Sequence, residues 1–137
     1  VGDSMILVVG QRGRRKLQTV SHSPVGYAVE AGVIDESDAL HHDELHLISN
    51  MVGAPDMRIE VGSPRTLAPR DTVLLASDGL LDNVHMEEIV SQVRRGPLAK
   101  AAEQLLATAH ARMAGEIDGP SKPDDTTFIA FRPRARR

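Results

Sequence analysis

Asp78 closes one of the most apolar runs of the chain, Thr72-Val73-Leu74-Leu75-Ala76, in the stretch Ser77-Asp78-Gly79-Leu80. Asp124 opens the approach to a second apolar run, Thr126 to Phe131. If the two runs are neighbouring strands in register, both carboxylates converge on one edge of a sheet. Hard divalent cations such as Mg²⁺ and Mn²⁺ take oxygen ligands and keep several waters, so a few carboxylates on rigid strands suffice. Two such ions about 3.5–4 Å apart activate a bridging water and neutralise a phosphate during in-line displacement. Gly79, with no side chain, lets backbone and metal approach. Asp-Gly is equally a common turn dipeptide, and Asp124-Asp125 equally a loop end. Residue types and spacing leave both readings open.

Other groups compete for attention. In His41-His42-Asp43-Glu44-Leu45-His46, His42 and His46 are four apart, so on a helix both imidazoles would share a face. That is the spacing of the zinc protease motif His-Glu-x-x-His. Asp43 stands where the longer Glu should be, and no third ligand is evident, so solvated histidines are the default. Arg12, Arg14, Arg15 and Lys16 form a basic cluster that could meet a phosphopeptide or nucleic acid. With 2 Phe, 1 Tyr, no Trp and a net charge of -3, little is available to stack bases, and no nucleic-acid partner is expected. Gly10 and Gly13 shape a turn without the rest of a nucleotide-binding fingerprint. The chain has no cysteine, which removes disulfides, Cys-ligated zinc and a thiol nucleophile together.

The elements that must hold these groups follow from periodicity. The 137 residues suit a single domain with a core of Leu, Val, Ile, Ala and Met. No apolar run reaches the roughly 18 residues of a membrane span, so no membrane association is expected. Residues 5–9 and 16–20 flank Gly10-Gln11-Arg12-Gly13 and read as a β-hairpin. A strand starting so near the first residue leaves a sheet edge in need of a partner, and an upstream segment that pairs with it is expected. Short helical pieces, Val25 to Ala31 and Asp35 to Leu40, are broken by Gly32 and lie in an acidic, histidine-rich insertion. Alternation returns at Met57-Arg58-Ile59-Glu60-Val61, which reads as a strand. The run 72–76 reads as a strand buried on both faces. Helices are predicted over Met86 to Arg95 and from Pro97 to just before Gly115, the latter with Leu98, Ala101, Ala102, Leu105, Leu106 and Ala109 on one stripe. A last strand over 126–131 precedes a basic tail, 132–137, expected to be disordered. The whole is an α+β plan in which helices cover antiparallel strands.

The order of Val1-Gly2-Asp3-Ser4, Ser21-His22-Ser23, Ala31-Gly32-Val33-Ile34, Val73 to Leu80, and Asp124-Asp125-Thr126-Thr127 resembles the C-terminal half of the bacterial metal-dependent type 2C serine/threonine protein phosphatases. That resemblance covers nearly the whole chain, so residues 1–137 are expected to be a partial phosphatase catalytic domain. It implies a sandwich of two antiparallel sheets flanked by helices, here only its C-terminal half, with a binuclear Mn²⁺ or Mg²⁺ site at one end. Carried over by position, Asp78 and Asp124 match two metal-binding aspartates; Asp3 matches a structural strand position, and residues 24–50 the variable flap beside the active site. Met5, Ser21 and Asp125 depart from the family's usual Arg, Asp and Asn. The family's upstream Asp-Gly-x-Gly-Gly motif, its N-terminal Glu-Asp pair and its phosphate-binding Arg are not in this chain.

The resemblance implies hydrolysis of phosphoserine and phosphothreonine in proteins by a metal-activated water, without a phosphoenzyme. The parent protein is expected to be a cytoplasmic signalling enzyme whose partners are a phosphoprotein substrate and a serine/threonine kinase or its targets, with the 137-residue chain alone inactive or nearly so. The alternative is a non-catalytic phosphatase-like module that binds a phosphoprotein or regulates a kinase.

Overall fold

A computed structural model describes residues 1–133. The elements are β1 (Met5–Val9), β2 (Arg15–Gln18), α1 (Pro24–Glu30), α2 (Glu36–Ala39), β3 (Thr72–Ala76), α3 (Asp78–Leu81), α4 (Met86–Val93), α5 (Leu98–Met113) and β4 (Phe128–Phe131). They divide between two compact units, one of residues 1–4 with 20–65 and one of residues 5–19 with 66–137. Among the described residues no helix is long and apolar enough to cross a membrane.

The second unit is built on a four-stranded sheet of order β2-β1-β3-β4, antiparallel throughout. Its register follows from period-two side-chain alternation. Met5, Ala76 and Phe128 lie in one row, and Leu7, Leu74 and Ala130 in another, all on the face the helices cover. Leu80, Val84, Ile89, Val93, Leu105 and Ala109 supply the helical side of that core. The expected amphipathic stripe of α5 is present, and it continues one turn further than its apolar residues, to a buried Arg112.

The opposite sheet face is different. Ile6 pairs with Leu75 and Leu75 with Ile129, and these are 40%, 43% and 63% exposed; Phe131, beside Val73, is 54% exposed. The expectation of a strand buried on both faces is therefore corrected: among the described residues of the second unit, helices cover β3 on one face only. The second unit is thus a single sheet with helices on one side.

The first unit holds α1, α2 and a series of turns. Ser23 caps α1, its Oγ accepting from Gly26 N at 2.9 Å. The segment 57–61, expected as a strand, is irregular. Alternation makes a strand only where a ladder partner exists; here the Asn50 side chain takes that place, accepting from Arg58 N at 3.0 Å and donating to Arg58 O at 2.8 Å. The segment 41–46 runs in turns, so the helical premise of the zinc reading fails.

Candidate metal centre

The C-terminal end of β3 and the approach to β4 are joined beyond the last ladder pair, Ala76 with Phe128. Ser77 N donates to Thr127 O at 2.9 Å, and Thr127 N donates to Ser77 Oγ at 3.1 Å. Thr126 Oγ1 donates to Gly79 O at 3.2 Å. Two Asp-containing turns are thus held edge to edge by backbone and hydroxyl hydrogen bonds, which is what carboxylates need if they are to share a cation. Gly79 permits it: a Cβ there would meet the carbonyl of Asp125, with Thr126 Cα only 3.0 Å away. The glycine is required by close approach of a second backbone, at a helical φ that any residue could adopt.

Each carboxylate turns back onto the following amide. Asp78 Oδ1 accepts from Gly79 N at 2.9 Å, and Asp124 Oδ1 accepts from Asp125 N at 2.7 Å. Asp78 begins the short helix α3 and is half-buried, whereas Asp124 is exposed.

A cation of the chain already stands among these acids. Lys122 Nζ lies 2.7 Å from Asp82 Oδ2. Burial works against its charge, but the Asp82 hydrogen bond and the negative charges of Asp82, Asp78 and Asp124 outweigh that and hold its pKa above the usual lysine value.

Three residues that carry this arrangement escaped the sequence reading. Asn83, fully buried, donates from Nδ2 to Gly79 O at 2.9 Å and to Lys122 O at 2.8 Å, while its Oδ1 accepts from Lys122 N at 2.7 Å. Arg112 donates to Glu88 with both terminal nitrogens, at 2.8 and 2.9 Å, and to Asn83 O at 3.0 Å. It also reaches Asp118 O at 3.3 Å, and its own carbonyl accepts from Ser121 Oγ at 2.8 Å, so the loop before Asp124 hangs on α5. The Arg112 pairing, aided by an amide hydrogen bond from His85, outweighs burial and holds Glu88 below the usual carboxylate range. One signal for Arg112 was available: 105, 109 and 112 continue the buried stripe of α5. Lys122 and Asn83 offered none.

The donor chemistry fits a hard cation in part. Asp78 and Asp124 supply carboxylate oxygens only, which is the preference of Mg²⁺ and Mn²⁺ over softer metals, and their joint field attracts the Lys122 ammonium. Among the described residues no group of three His, Asp or Glu side chains could hold a metal ion. His42 and His46 are exposed and belong to no such group.

In the first unit, His22, Ser23 and Asn50 are buried polar residues. Asn50 Nδ2 lies 2.6 Å from His22 Nδ1, and His22 Nε2 lies 3.4 Å from Glu60 Oε1. With the Asn50 amide oriented by its Arg58 contacts, Nδ1 accepts, and a proton on Nε2 faces the carboxylate. The ring stacks on Tyr27 at a centroid distance of 6.4 Å. Asp3 lies in a bend rather than a strand.

No protein-family model matches the sequence. The chain is 36% identical over 92 residues to a Streptococcus pyogenes protein assigned to the 2C type of protein phosphatase, a match over 66% of this chain and 37% of that protein. Its fold is similar to the serine/threonine phosphatase of S. agalactiae, with a TM-score of 0.74 and 26% identity over 98% of this chain and 52% of that one. It is also similar to the catalytic domain of the serine/threonine phosphatase PstP in complex with two manganese ions, with a TM-score of 0.58, 27% identity and coverage of 95% and 50%. The chain thus spans about half the length of the solved structures it matches, and less of the curated relative.

Proposed function

We propose that this chain, a half-length relative of the bacterial type 2C serine/threonine phosphatases, is the part of a metal-dependent protein phosphatase domain that contributes Asp78 and Asp124 to the metal site. The observation that carries the reading is that the turns bearing the two carboxylates are tied together beyond the last pair of β3 and β4 by the Ser77–Thr127 and Gly79–Thr126 hydrogen bonds. When bound, Mn²⁺ or Mg²⁺ would supply a polarised water for attack on phosphorus and would neutralise charge on the phosphate. Asp78 and Asp124 would hold the ion from two turns fixed by the Ser77–Thr127 and Gly79–Thr126 hydrogen bonds. Asn83 sets the position of Lys122 and, through Pro123, of Asp124. With no cysteine in the chain, a cysteinyl phosphate is not available from these residues. The proposed substrate is phosphoserine or phosphothreonine in a cytoplasmic protein, and a serine/threonine kinase or its targets are the proposed partners.

The test is Mn²⁺-dependent hydrolysis of an aryl phosphate by the whole catalytic domain. Asp78→Ala and Asp124→Ala should each abolish it, and undiminished activity in both would sink the assignment. A second reading, a non-catalytic phosphatase-like module, draws support from one observation: among the described residues, the carboxylates gather no third metal-ligating group. Metal binding without turnover in the whole domain would favour that module.

A further inference from the structure

The opposite end of the same sheet carries a concentration of positive charge that the metal reading does not use. β3 is five residues long, so its two ends lie about 13 Å apart. At the Thr72 end, a groove of about 200 Å³ is lined by Gln11, Arg70, Arg94, Arg95, Gly96 and Arg132. Four of the six are arginines and none is acidic, in a chain whose net charge is -3.

Two of these arginines are fixed by the fold. Arg132 donates to Thr72 Oγ1 at 3.0 Å, to Val93 O at 2.7 Å and to Gly96 O at 2.6 Å, so it satisfies carbonyls at the C-terminal end of α4. Arg70 donates to Gln11 Oε1 at 3.0 Å. Arg94 and Arg95 could serve only to complement the helix dipole, which favours cations at this terminus. That role is already filled by Arg132, which makes the carbonyl contacts. Among the described residues the Arg94 and Arg95 side chains pair with no acid. Four guanidinium groups around one groove repel one another. Guanidinium matches phosphate oxygens in a bidentate, charge-assisted geometry, so a phosphate group removes that repulsion and gains directed hydrogen bonds.

Arg94 also lines an adjoining groove of about 270 Å³, together with Arg12, Arg15, Met86, Val90 and one acid, Glu87. Apolar and basic surface thus continue from the arginine pocket along α4, which suits an extended peptide more than an isolated ion. Base stacking has little support from a chain with three aromatic residues of the Phe, Tyr and Trp types.

We propose that Arg70, Arg94, Arg95 and Arg132 form a non-catalytic binding site for a phosphate group carried on a peptide. The site lies at the end of the sheet remote from Asp78 and Asp124, and it does not depend on the metal reading.

The experiment is calorimetric titration of the 137-residue chain, without divalent metal, with inorganic phosphate, a phosphoserine peptide and the same peptide unphosphorylated. The phosphopeptide should bind at least about tenfold more tightly than the unphosphorylated peptide, and raised salt should weaken it. The exposed or half-exposed pair Arg94→Gln and Arg95→Gln should cost about tenfold or more with an unchanged unfolding midpoint, whereas Asp78→Asn with Asp124→Asn should leave binding intact. Phosphopeptide binding tighter than inorganic phosphate supports the peptide-borne source; equal affinity for the two assigns the site to free phosphate and overturns the peptide part. Equal affinity of the arginine variant and the wild type, no detectable phosphate binding, or tighter binding of a single-stranded oligonucleotide would each overturn the proposal.

Discussion

Asn83 holds Lys122 by its main chain, accepting from Lys122 N at 2.7 Å and donating to Lys122 O at 2.8 Å, as one strand would hold another. A buried side chain thereby replaces a missing ladder partner for the loop that leads into Asp124. Leucine at 83 would leave the Lys122 amide and carbonyl without these bonds in a part-buried site. Asn83→Leu is expected to destabilise the chain by about 2–4 kcal/mol, read from urea unfolding, since each orphaned buried group costs about 1–3 kcal/mol. A loss below about 0.5 kcal/mol would mean that water or relaxation replaces the amide.

Gly79→Ala should act by a different route. Its methyl group would press on the Asp125 carbonyl and Thr126 backbone, which are not flexible side-chain ends that can swing aside. Overpacking of this kind costs about 1–3 kcal/mol. It should also separate the two Asp turns, so Mn²⁺ affinity of the whole domain should fall together with its melting temperature.

Lys122 carries a positive charge beside Asp82 that would repel a divalent ion held by Asp78 and Asp124. Lys122→Met removes that repulsion, and Mn²⁺ affinity in the whole domain should rise about three- to tenfold, on the order of the Coulomb energy of charges several ångströms apart in partly solvated surroundings. Calorimetric titration checks it. A fall in affinity would show that the lysine supports the carboxylates more than it competes for them.

Acid sensitivity should centre on Asp71, which is 2% exposed at the start of β3. Burial pushes its pKa up, but the Lys16 ammonium at 2.7 Å, the Ala68 amide and the Lys16 charge together bring it below the ordinary value. A carboxyl with a depressed folded pKa stabilises the fold above the unfolded pKa of about 3.9 and loses that contribution as pH falls through the folded value. The urea midpoint should therefore drop below about pH 4, and Asp71→Asn should flatten that drop. In Lys16→Met burial acts on Asp71 with less opposition, so the acid limb should move to higher pH. The partly exposed lysine limits the cost at pH 7 to about 1–2 kcal/mol.

The sheet and helices were legible because their signals are local. An apolar run stopping at Asp-Gly, a hairpin between Gly10 and Gly13, and a stripe between Pro97 and Gly115 each specify an element from within. Met57 to Val61 failed because alternation says which face is apolar and nothing about whether a neighbouring strand is present. His42 and His46 failed because four-residue spacing has meaning only on a helix, and the chain turns there. Of the basic tail, 132–137, Arg132 is tied to Thr72, Val93 and Gly96, and residues 134–137 lie outside the described residues. Asn83 and Lys122 stayed invisible because their contacts cross 39 residues of sequence.

The open face of the sheet also has a thermal signature. Unfolding an ordinary chain of 137 residues raises the heat capacity by about 1.6–2.1 kcal/mol/K, an increment set mainly by newly wetted apolar surface. Ile6, Leu75, Ile129 and Phe131 are already substantially wetted in the folded chain, so its increment should lie below that range. An apolar layer docked on these residues would restore the missing increment. Its docking should carry a negative heat-capacity change, and the union should loosen on cooling before either side unfolds.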